Sequence, residues 1–229
     1  MYDVEYNNIR ASDLKLLVKK RPDMPSPKKN YTETEVPGRD GMLVETDETY
    51  QDIPLPVEFN YGAEQWHSVF RKAKQWLFSK GNGHLRFMDD AAFYYKVKKV
   101  EIEDNKRLSL RVGNFIATFV CEPFQYLLDG DREYELEEVL YNPYYISLPT
   151  YVIRGEGQCE LKVNGNTMIV DVGQEIILDT KRRIAYKKDL LLNTSVTGKY
   201  QDVCLLSGEN EISVTNGFEV TVIPYWRCL

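Results

Sequence analysis

The sequence predicts a mostly β protein with a single α-helix, organised as two domains. Three observations carry this. Apolar and polar residues alternate with period two along most of the chain, turn-forming dipeptides punctuate the alternating runs, and only residues 63–80 place apolar side chains at helical spacing. A length of 229 residues fits one large β domain or two of ordinary size, each with enough surface to bury a core.

The elements follow in order. Residues 22–29 carry Pro22, Pro25 and Pro27 and cannot be regular structure, so they read as an exposed loop or arm. The strands around 31–46 hold few apolar residues with which to form a core of their own. Alternating runs then occupy 54–61, 85–88, 95–102, 108–112 and 115–120. Asp89-Asp90, Asp104-Asn105 and Gly113-Asn114 are read as the turns between them.

Within 63–80, Trp66, Val69, Phe70, Ala73 and Leu77 form one apolar stripe of a helix. Arg71, Lys72, Lys74 and Lys80 crowd its second half, where cations favour the carbonyl end of the dipole, and Gly81 is expected as the C′ stop. The stripe reads as core laid on a sheet and not as a cofactor box.

A charged stretch, Asp129 to Glu138, leads into Tyr141-Asn142-Pro143 and marks the expected domain boundary at 136–142, giving domains 1–138 and 139–229. Beyond it, runs at 160–163 and 168–170 flank Asn164-Gly165-Asn166, and an Asn-Gly pair between strands is a strong hairpin signal. Further strands are expected at 175–178, 203–206, 211–214 and 218–223.

Composition closes several functional classes. With 29 Lys and Arg against 35 Asp and Glu the formal net charge is −6, which argues against a phosphate-gripping surface. No run reaches the ~18 apolar residues of a membrane helix. The first eight residues are acidic and polar where a secretory signal would be basic and then apolar, so export by that route is not expected. Cys121, Cys159, Cys204 and Cys228 have no zinc-like spacing. Cys121 and Cys204 sit in apolar runs and read as reduced, buried thiols. Two histidines, His67 and His84, leave little material for general-base chemistry.

No motif supplies a catalytic set, a metal site or a cofactor site. Gly155-Glu156-Gly157 lacks the third glycine of a dinucleotide fingerprint, and 79–84 follows a helix where a phosphate loop precedes one; both read as turns. Ser12-Asp13-Leu14-Lys15 matches S-x-x-K without its partner motifs. Asp129-Gly130-Asp131 has glycine at the wrong position for a calcium loop. Asp89-Asp90 is explained more cheaply as a turn than as a carboxylate pair. Sixteen Tyr, nine Phe and three Trp allow a sugar-stacking module, although Tyr also suits strands for its apolar body and polar tip.

Val36-Pro37-Gly38-Arg39-Asp40-Gly41 begins a collinear series of short strings. It continues through Tyr50 and Ile53, the Trp66/Phe70-Arg71/Trp76-Leu77 helix, 85–90 with Tyr94-Tyr95, and Cys121-Glu122-Pro123-Phe124-Gln125-Tyr126. The second half adds Asn142, Pro149, Gly155-Glu156-Gly157, Val163-Asn164-Gly165, 177–180, Tyr186, 206–210 and Ile223-Pro224-Tyr225-Trp226-Arg227. Each string is weak alone; in this order, over nearly the full chain, the sequence resembles the distal tail proteins (Dit) of long, non-contractile-tailed phages of Gram-positive hosts.

The resemblance implies an N-terminal β-sandwich with one helix and an extended hairpin arm, followed by a C-terminal galectin-like jelly-roll β-sandwich. It implies a structural virion protein of the tail tip or baseplate, made in the host cytoplasm. Such a protein forms a homo-hexameric ring between the major tail (tube) protein and the tail-associated lysin or hub protein, and anchors receptor-binding or baseplate proteins. DNA would pass through the lumen without specific binding, no membrane partner is implied, and neither is enzymatic activity. The alternative is a carbohydrate-binding module recognising host cell-wall saccharide, but residues 140–229 leave no room for the binding insertion that some relatives carry. A closed ring needs two complementary patches per protomer, and an extended arm with unpaired strand edges can supply one. Arg39 and Asp40, held between Gly38 and Gly41, are the candidate intersubunit contact; a locally satisfied turn with an opposite-charge pair explains them equally well.

Overall fold

The computed structural model describes residues 2–64, 66–109 and 111–229; the side chain of Trp66 and all of Leu110, from the expected helix stripe and the expected strand 108–112, lie outside the described part. The protein is mostly β with one α-helix among the described residues. It forms two compact units, Met1–Gln125 and Tyr126–Cys228. The division falls ahead of the boundary expected at 136–142, and strands on either side of residue 136 pair with strands of the second unit.

The first unit opens with β1 (Val4–Tyr6), β2 (Ile9–Arg10), β3 (Leu17–Val18), β4 (Lys29–Glu35), β5 (Met42–Tyr50) and β6 (Ile53–Gly62). After α1 (Trp66–Leu77) come β7 (His84–Phe87), β8 (Phe93–Ile102), β9 (Lys106–Arg107) and β10 (Val112–Leu127). One sheet runs in the order β2-β1-β7-β8-β10-β6-β3 with β9 also on β10, while among the described residues β4 and β5 pair only with each other.

Alternation explains the core. Ile53, Leu55, Val57, Phe59 and Tyr61 of β6 point inward, opposite Phe115, Ala117, Phe119 and Cys121 of β10. Pro54 and Pro56 fall on the outward parity. Among the described residues β3 pairs with β6 only at Phe59 and Asn60, so the prolines occupy a stretch of edge, where a missing N–H costs no ladder bond. Helix α1 buries Val69, Ala73, Trp76 and Leu77 in the same core. Trp76 joins the stripe that the sequence assigned to its neighbours: its Nε1 donates to the Tyr6 carbonyl at 2.9 Å, and Tyr6 and Phe59 sit edge-on to its ring.

Several local expectations are corrected. The helix stops at Leu77, and Gly81 is not its left-handed cap; a Cβ there would lie 2.3 Å from the Asn7 side chain, which accepts from the Gly83 N–H. Residues 108–109 form a turn, with the N–H groups of Leu108 and Ser109 donating to the Val112 carbonyl. Gly113-Asn114, expected as a turn, lies inside β10. Glycine is required there by close approach, since a Cβ would fall 2.5 Å from the Tyr61 hydroxyl.

The second unit contains β11 (Tyr134–Glu135), β12 (Val139–Asn142), β13 (Thr150–Val163), β14 (Asn166–Asp179) and β15 (Ile184–Lys187). Then follow β16 (Leu190–Leu191), β17 (Val196–Thr197), β18 (Gly208–Val214) and β19 (Glu219–Ile223). Its frame is the β13–β14 hairpin, paired without a break from Val163↔Asn166 to Thr150↔Asp179 across the expected Asn164-Gly165 turn. The first half of β13 pairs with β19 and the last with β18; β14 pairs with β17 early and β15 late. The buried parity includes Tyr151 and Ile153 in the first half of β13 and Cys159, Leu161 and Val163 in the second, so both halves of the hairpin line one core.

Gly155 and Gly157 therefore sit inside a paired strand and not in a turn. Gly155 has φ +149° and the Phe218 ring where a Cβ would be, whereas Gly157 has φ +102° with open space around it. The expected strand 203–206 is also revised: Tyr200–Val203 is a 3₁₀ turn, and only Leu205 bridges to Ser147. Val203, Cys204 and Leu205 are apolar because they are buried, which period-two reasoning mistakes for a strand. Cys121, Cys159 and Cys204 are buried free thiols, and desolvation pushes the Cys121 thiol up to about 12.

Candidate functional site

The feature that stands apart from both cores is the β4–β5 hairpin. An isolated two-stranded ribbon is marginal in water, so a long one implies a partner or a constraint at its base. The base is constrained. The Gln51 N–H donates to the Lys28 carbonyl at 2.8 Å, Tyr50 packs edge-on against Phe124, and Lys29 pairs with Glu48.

Just above the base the register slips: Lys29 opposes Tyr50, but Tyr31 opposes Thr46. The extra residues of β5 form an Asx turn in which Asp47 Oδ1 accepts from the Thr49 N–H (2.9 Å) and hydroxyl (2.6 Å). Those bonds hold the Asp47 carboxyl below its ordinary range. Glu48 between them has φ +60°, and Asn30 Nδ2 donates to Thr49 Oγ1. Such a bulge bends a ribbon and sets its direction.

The tip is a six-residue connection. The Arg39 N–H donates to the Val36 carbonyl at 3.1 Å, with Pro37 and Gly38 (φ +81°) at the central positions of a type II turn; Gly41 (φ +79°) makes the second reversal. Nothing lies within 4 Å of a Cβ at either glycine, so conformation alone demands them. Arg39 and Asp40 project between them, both exposed, and among the described residues they form no ion pair with each other. The backbone of the turn is thus satisfied locally while its two charges are not.

The register shows a face that sequence reasoning missed. Cross-strand partners share a face, so Tyr31/Thr46, Glu33/Val44 and Glu35/Met42 lie on one side, Thr32/Glu45 and Thr34/Leu43 on the other. Tyr31, Val44 and Met42 make a continuous apolar stripe, 58%, 54% and 58% exposed, edged by Glu33 and Glu35. Alternation within each strand hinted at it; only the register joins the two halves.

No comparable constellation for chemistry emerges. Among the described residues no group of three or more His, Cys, Asp and Glu could hold a metal ion. His84 stacks on Tyr94 at 3.8 Å between centroids, and His67 lies on the exposed side of α1. An open groove of about 770 Å³ in the second unit, floored by Ile212, Phe218 and Val220 and rimmed by Glu137, Glu138 and Lys162, contains neither histidine nor cysteine.

No family model and no curated protein sequence matches the chain. Among solved structures it is similar to the crystal structure of SPP1 Dit (gp 19.1), described as a paradigm of the hub adsorption apparatus in phages infecting Gram-positive bacteria. The likeness spans 97% of this chain and 98% of that one, with a TM-score of 0.69 at 13% identity; the fold is shared from end to end.

Proposed function

We propose that this chain is a structural component of a phage tail tip, without catalytic activity. Six copies close into a ring that continues the tail tube, joins it to the tail-associated lysin or hub protein, and carries receptor-binding or baseplate proteins. In this reading the first domain forms the ring through its arm, with Arg39 and Asp40 at the tip meeting the neighbour, and the second offers a docking surface to the adsorption machinery. DNA passes through the lumen without specific contacts.

The supporting observation is the end-to-end likeness to SPP1 Dit, a hub adsorption protein, in a chain whose long hairpin, among the described residues, joins neither of the larger sheets. A heterologous contact repeated around a closed ring would cover such an arm in every protomer. Light scattering coupled to gel filtration tests this: six chains of 26.7 kDa give about 160 kDa, and negative-stain images should show annuli. A clean monomer at every concentration refutes it.

A further inference from the structure

The charges of the first unit are not spread evenly. Residues 29–50 hold six carboxylates (Glu33, Glu35, Asp40, Glu45, Asp47 and Glu48) against Lys29 and Arg39, a net charge of −4. The remainder of Met1–Gln125 holds 17 Lys and Arg against 13 Asp and Glu, a net charge of +4. The second unit, with 10 against 16, stands at −6. An acidic ribbon with an exposed apolar stripe is therefore repelled by second units and attracted by the body of a first unit.

Within that body the β9–β10 hairpin matches the arm in both respects. It carries exposed Lys106, Arg107 and Arg111, with Leu108 63% and Val112 40% exposed next to Arg107 and Arg111 in the chain. Its backbone is pinned by the Leu108 and Ser109 N–H groups on the Val112 carbonyl and by Ser109 Oγ, which accepts from the N–H groups of Arg111 and Val112. Two other cationic stretches fit less well: at 15–21, beside the exposed Leu17, Lys19, Lys20 and Arg21 already pair with Glu58, Asp23 and Asp89, and 71–80 offers only Phe78 among its described residues as a large, strongly exposed apolar side chain.

We infer that the arm's Tyr31/Val44/Met42 face seats on the β9–β10 hairpin of a second copy, with Glu33 and Glu35 facing its cations. This rests on the ring reading and names the two patches that meet. Opposite-charge patches flanking an apolar centre give register and speed of encounter, and like charges brought together there oppose docking.

The test uses the full chain in light scattering over a concentration series, with circular dichroism to confirm folding. Wild type should need roughly tenfold more protein to assemble when salt is raised until the Debye length is about 4 Å. Glu33→Lys with Glu35→Lys, or Lys106→Glu with Arg111→Glu, should each raise the required concentration about 100-fold. All four together should return it to within about tenfold of wild type; that recovery also shows that neither pair had unfolded the chain. Hairpin variants that assemble like wild type, or a fourfold exchange that stays dissociated, overturn this contact and leave the ring standing. A wild type that is monomeric throughout overturns the ring as well.

Discussion

Replacing residues 31–48 with a short Gly-Ser linker should abolish self-association and leave the fold almost untouched. None of these residues is buried, so no core area is lost. What disappears inside the protomer, besides the hairpin's own solvent-exposed ladder, is an exposed Lys29–Glu48 pair, with side chains 31% and 67% accessible, and the exposed hydrogen bonds from Thr49 to Asp47. Surface interactions of this kind are each worth about 0–1 kcal/mol. Shortening the loop returns about 1 kcal/mol of closure entropy. The two nearly cancel, so the melting temperature should move by no more than about 4 °C. The Gln51-to-Lys28 bond and the Tyr50–Phe124 contact remain to close the base. Calorimetry and light scattering on one preparation check both halves. A drop of ~10 °C or more would show the arm to be part of the first unit's own stability, and persistent assembly would show that it is not the ring contact.

Three further outcomes follow from side-chain and backbone geometry. Asn210→Ala should destabilise the second unit by about 3 kcal/mol, read as a lower urea midpoint. The fully buried amide donates to the carbonyls of Leu140, Leu206 and Gly208, and its oxygen accepts from the Leu206 N–H and Asn164 Nδ2. Gly155→Ala should cost more than Gly157→Ala in the same assay, since both positions have positive φ but only the first places a Cβ 2.5 Å from the Phe218 ring. Equal losses would mean that the backbone conformation alone matters. Glu133 accepts hydrogen bonds from the Thr221 hydroxyl and Arg154, which hold its carboxyl below the ordinary glutamate range. Its folded-state pKa is thus depressed, and the stability it contributes is present above about pH 4.3 and lost as pH falls through the folded value. Glu133→Gln should therefore be less stable than wild type at neutral pH and converge with it in acid; a constant gap refutes the assignment.

Much of this was legible in the sequence because local physics decides it. A period-two run such as 54–61 has one face that must be buried whatever else the chain does, and the stripe at 69, 73 and 77 has one helical side to hide. Asn164-Gly165, and Gly38 and Gly41 around Arg39-Asp40, reverse the chain through φ values that depend on no distant neighbour. The poverty of apolar residues around 31–46 likewise announced a segment outside the core.

What the tertiary structure alone decided concerns residues whose role is set by what lies across from them. Gly113 reads as a turn until the Tyr61 hydroxyl is placed over it, and Gly155 until the Phe218 ring is. Trp76 belongs to the core because the Tyr6 carbonyl waits for its N–H. The arm's apolar face exists only once Tyr31 stands opposite Thr46, since a shift of one residue would scatter Tyr31, Val44 and Met42 over both sides. A sequence lists the side chains of each strand; strand register and packing, which join residues far apart along the chain, determine which of them share a surface.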